Sequence, residues 1–78
     1  MSNTNTIAAA AHIANVRDAI ASGQVSAQDL ADYQVHLEMG LSLVSIVSED
    51  DAEAAVAMEG SVLFTQLAQM RALTQLVA

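Results

Sequence analysis

The sequence predicts an all-α protein of three main helices, and three observations carry that expectation. Apolar residues recur at intervals of three and four, the helical period, over most of the chain. The run Ala8–Ala11 has the highest intrinsic helix propensity available. Two stretches, Ser26–Asp29 and Ser48–Asp51, carry the spacing of a capping box at a helix start.

The first helix is expected over about 6–22. Ile13, Val16 and Ile20 form its apolar stripe, and Gly23 stands where a left-handed stop belongs. Residues 1–5 are polar and are expected to form a disordered tail. Residues 6–78 then make a single all-helical domain without linker or internal repeat.

The second helix is expected over about 27–47. Ser26 would accept from the Asp29 amide while Asp29 reaches back, and Val25 and Leu30 flank the cap as a hydrophobic staple. At 100° per residue, Leu30, Leu37, Leu41 and Val44 share one face, with Tyr33 and Gly40 beside it. Val35, Met39, Leu43 and Ile46 share a second, nearly opposite face. Only Gln34, Glu38, Ser42, Ser45 and Glu49 remain as a polar strip. A helix apolar on two sides is buried on two sides. The second face either packs inside the monomer or belongs to an interface, for which Val35, Met39, Leu43 and Ile46 are the candidate residues. A strand at 41–47 is the alternative local reading, although the residues do not alternate strictly.

The third helix is expected over about 49–77. Acids at Glu49, Asp50, Asp51 and Glu53 suit the positive end of a helix. The inward stripe is Val56, Leu63, Leu67, Met70 and Thr74, with Phe64 and Val77 at its margins. Gly60-Ser61 is the weak point, where the helix could kink or split. The second and third helices are expected to form a hairpin with the first packed across it. Two such units would build a dimeric helical bundle.

Composition narrows the function. The chain has 78 residues and no cysteine, which excludes disulfides and cysteine-bound zinc. A core of this size supplies only about 3–5 kcal/mol, which favours a homodimer. A hydrophobic fraction of 54% and a mean hydropathy of +0.41 leave more apolar face than three short helices can bury. Net charge is −7, with Arg17 and Arg71 as the only cations. Two arginines cannot neutralise a run of phosphates, so direct nucleic-acid binding is not expected. The chain shows no basic leader and no apolar run long enough to span a bilayer, so a cytoplasmic protein without membrane association is expected.

Candidate chemistry is sparse. Asp29, Asp32 and His36 lie on one side of the second helix, too few ligands for a divalent metal. The acids at 49–53 lack the oxygen spacing and turn glycine of a calcium loop. Ser42, Ser45 and Ser48 recur every third residue, but neither His12 nor His36 stands at an interpretable spacing to them. Leu76-Val77-Ala78 resembles an apolar terminal degradation signal. No enzyme, cofactor or metal site is expected.

The expectation is a small acidic interaction module that binds and modulates, by inhibition, a partner protein. Its composition fits a phage- or mobile-element-encoded inhibitor of a bacterial host protein. The alternatives are an assembly subunit of a larger particle and an acidic nucleic-acid mimic.

Overall fold

A computed structural model describes residues 4–77, with side chains through Leu76. It holds three α-helices and no strand among those residues: α1 (Thr4–Ser22), α2 (Ala27–Leu41) and α3 (Asp51–Val77). The all-α expectation is met. Of the tail assigned to 1–5, Thr4 and Asn5 already belong to α1, and residues 1–3 lie outside the described part.

The start and stop chemistry explains each boundary. Gly23 ends α1 at φ 74°, and its N–H donates to the Ile20 carbonyl at 3.1 Å. The capping box of α2 is formed on both sides. Asp29 N donates to Ser26 Oγ at 3.1 Å, and Ser26 N donates to Asp29 Oδ2 at 3.0 Å.

α2 stops at Leu41, six residues short of the expected end at 47. Ser42 begins the exit: its hydroxyl donates to the Met39 carbonyl at 2.7 Å. Ser45 Oγ then accepts from Val47 N, and Ser48 Oγ accepts from Asp50 N. Serine hydroxyls that bond the nearby backbone compete with helix, and Val44, Ile46 and Val47 are weaker helix formers. The serines spaced by three are therefore turn builders. The strand reading of 41–47 also fails, because the segment is a series of turns.

The cap of α3 is Asp50, not Ser48. Asp50 Oδ1 accepts from Ala52 N at 2.9 Å and Glu53 N at 3.5 Å, and its carbonyl accepts from Ala54 N. From there α3 runs through Gly60 without a break.

The core lies where the three stripes meet. Ile13 and Val16 of α1, Leu30 and Leu37 of α2, and Leu63 and Leu67 of α3 are buried together. Ile20, Val25, Tyr33, Leu41, Val56, Phe64 and Met70 pack around them. The α1 stripe reaches further back than expected, because Thr6 and Ala9 are also buried. α2 and α3 run antiparallel: Gln34 meets Arg71, and Leu41, seven residues on, meets Gly60.

Gly60 is buried for a reason of space. A Cβ there would stand 2.6 Å from Leu41 Cδ2 and 3.4 Å from Ile13 Cδ1, so the glycine lets three helices approach. Gly40, near the end of α2, has nothing within 4 Å of the same added atom. Gly40→Ala is therefore expected to raise stability by about 0.5–1 kcal/mol. Gly60→Ala should fall clearly below it, because Leu41 must shift. Urea midpoints of the two variants check this, and equal gains would show that the close approach does not persist in solution.

α3 has 27 residues and α2 has 15. At 1.5 Å per residue these are about 40 and 22 Å long. The molecule accordingly measures 44 × 20 × 16 Å. Its shape is set by one long helix that two shorter ones cover only in part.

Candidate functional site

The second apolar face foreseen for α2 is outside the core. Val35 is 56% exposed, Met39 62%, Leu43 58% and Ile46 51%. Packing of this face against α1 inside the monomer is thus excluded. It is not one helical face either. Val35 and Met39 stand one turn apart on α2, whereas Leu43 and Ile46 lie on the loop that leaves it. Leu43 stays tied to the helix end, its N–H donating to the Gly40 carbonyl at 3.1 Å. Val47, 86% exposed, extends the apolar series.

This loop is apolar yet held in shape. Ser48 N donates to the Ser45 carbonyl at 3.2 Å, closing the turn that presents Ile46 and Val47. Ser45 N donates to Glu53 Oε2 at 3.3 Å, which ties the loop to the first turn of α3. Asp50 N donates to Ser48 Oγ at 3.1 Å. The acids at 49–53 thereby find their use. Asp50 caps α3 and Glu53 fastens the loop.

The remaining candidates assemble differently from their sequence spacing. Asp32 accepts from Gln28 Nε2 at 3.0 Å instead of pairing with His36. His36 stands edge-on to His12, ring centroids 5.8 Å apart at 88°. The two histidines, far apart in sequence, thus join α1 to α2. Buried His12 Nε2 has no hydrogen-bond partner. Among the described residues no group of three or more His, Asp or Glu is placed to hold a metal ion.

Gln34 is the residue the polar strip concealed. It is buried at 8% exposure, and its Oε1 accepts from Arg71 Nη1 at 2.6 Å. Its position between Leu30 and Leu37 on the core-facing side was the available signal. The two residues floor a shallow groove of about 310 Å³ with Ala68, Ala72 and Gln75. The groove is too open to enclose a small molecule as ligand sites usually do. The other arginine, Arg17, bridges Glu59 at 3.5 Å between half-exposed side chains. Both cations of the chain are therefore engaged with other helices.

At the end of α3, Leu76 is 80% exposed, while Ala78, the last residue of the supposed degradation signal, lies outside the described part. Among the described residues no helix is long and apolar enough to cross a membrane. The chain matches no family model, no curated protein and no solved structure. Its class is set by its own geometry: an all-α three-helix protein with an apolar, hydrogen-bonded loop beside the end of its middle helix.

Proposed function

We propose that this chain is a non-enzymatic protein-interaction module, and that it binds a partner protein through Val35, Met39, Leu43, Ile46 and the neighbouring Val47. One observation carries the reading: five large apolar side chains stay more than half exposed along the end of α2 and a loop fastened by hydrogen bonds. Full burial of such a side chain contributes about 1.5–3 kcal/mol, so leaving five in water forgoes a large gain that a partner can recover. The fastened loop reduces the ordering entropy that binding would otherwise cost. Methionine at the centre suits an adaptable apolar contact.

The mode proposed is inhibition by blocking the partner surface that these five side chains would cover. Both arginines being engaged, direct recognition of nucleic acid has no support from charge.

Met39→Glu tests the reading. Met39 is exposed, so helicity and thermal midpoint should stay close to those of the parent. A partner retained by the parent chain at one-to-one ratio should be lost from the variant, with affinity at least tenfold weaker by titration of the purified pair. Unchanged retention would refute this surface, and a variant that unfolds would place Met39 in the core.

A further inference from the structure

α3 carries a second stripe, on the side away from the core. Met58, Val62, Thr65, Gln69, Ala72 and Leu76 follow one another at alternating intervals of four and three, and every one of them is exposed. Leu73, 63% exposed, stands beside the stripe. The inward seam of the same helix, Gly60, Leu63, Leu67, Met70 and Thr74, keeps the same alternation. α3 therefore has two heptad-spaced faces, and α1 and α2 cover one.

The outer stripe is also free of charge. After Glu59 the only charged residue described in α3 is Arg71, and it points to Gln34 of α2. Glu59 itself is turned to Arg17. In a chain of net charge −7, two copies repel each other over most of their surface. They meet no such repulsion along about five turns of this helix.

The pattern also reads the same from either end. About a two-fold axis midway between Thr65 and Gln69, Met58 falls opposite Leu76 and Val62 opposite Ala72. Thr65 then falls opposite Gln69, polar against polar. A parallel pairing would instead align the acids Asp50, Asp51 and Glu53 with their own copies. An antiparallel pairing about this axis carries Asp51 and Glu53 past the described end of the other α3, so neither acid faces its own copy.

We propose that the occupant of this face is a second copy of the chain, docked antiparallel along α3. The two outer stripes interlock at the shallow crossing angle that three-four spacing produces. The contact is isologous and closes at two copies. It uses a surface separate from the end of α2, so it stands independently of the partner-binding proposal. A helix pair of this length covers on the order of 500 Å² per chain, the low end for specific interfaces. The dimer should therefore dissociate on dilution into the micromolar range.

Sedimentation velocity of the full chain over a concentration series is the test. The parent should shift from 8.1 kDa to twice that mass as concentration rises. Val62→Glu should stay at the monomer mass with unchanged helicity, because Val62 is exposed and its loss leaves the core intact. Met39→Glu should dimerise like the parent. The chain has no cysteine, so single substitutions report orientation. A mixture of Met58→Cys and Leu76→Cys chains should oxidise to mixed disulfide dimers, while Met58→Cys alone should not cross-link. A parent that is monomeric at all concentrations, a Val62→Glu dimer, or Met58→Cys chains that link to themselves would each overturn the proposal. If Met39→Glu alone abolishes the dimer, the second copy sits on α2 instead.

Discussion

Leu67→Ala is expected to remove most of the stability of the domain. Leu67 is fully buried on α3, at the point where all three helices meet. Truncating a leucine in such a position costs about 3–5 kcal/mol, as lost transfer energy and as a cavity that neighbours fill only in part. A core of this size supplies about 3–5 kcal/mol in total. The variant should lose cooperative unfolding or show a far lower urea midpoint by circular dichroism. Val62→Ala, five residues earlier on the outer stripe, should leave the midpoint of dilute protein within about 0.5 kcal/mol of the parent. Similar losses in both would mean that α3 does not turn its Leu63-Leu67 seam inward.

The second large effect belongs to Gln34. Its amide oxygen is buried and accepts a 2.6 Å bond from the Arg71 guanidinium, across 37 positions of sequence. Hydrogen bonds to charged donors contribute about 1.5–3 kcal/mol. Gln34→Ala should cost about that much, because Arg71 is left half-buried without its acceptor. Gln34→Leu combined with Arg71→Met should recover most of the loss, since apolar groups of similar shape replace both partners. A full double-mutant cycle by chemical denaturation checks the coupling. Additive effects would show that the two side chains act separately and that the bond does not set the α2–α3 register.

The helices were legible where pattern and local chemistry agree. Ser26 with Asp29 marks the start of α2, Gly23 marks the end of α1, and both work as read. The stripes Ile13-Val16-Ile20 and Leu63-Leu67-Met70 point inward for the same reason: helical spacing of apolar residues needs no tertiary knowledge. Boundaries near residue 45 were not legible. Leu41–Val47 is apolar enough to continue a helix, and the choice fell to serine hydroxyls bonding nearby amides and to the Ser45–Glu53 contact, which only the fold creates. Ser48 and Asp50 both fit a cap, and the backbone turn decided for Asp50.

Of the candidate surface, Val35, Met39, Leu43 and Ile46 were legible as a second apolar group, while the sequence left open whether that group packs inside the monomer. Their arrangement was not, because it depends on where α2 stops. Gln34 was missed since a lone polar residue on an inward face reads as solvated until its partner is known. The outer stripe of α3 was hidden by its own mixture: Thr65 and Gln69 interrupt the apolar series, and the stronger inner seam dominates the periodicity.

Partner binding as proposed requires an end of α2 that is open in the free protein and distinct from any face the chain uses on itself. Methionine oxidation by dilute peroxide, read residue by residue by mass spectrometry over a protein concentration series, tests this most directly. Met39 at 62% exposure and Met58 at 57% should both oxidise readily in dilute protein, and the partly buried Met70 slowly. As concentration rises, Met58 should become protected while Met39 stays reactive. A slow Met39 in dilute protein, or protection of Met39 with concentration, would contradict the account: the first places that surface in the core, the second in the self-interface.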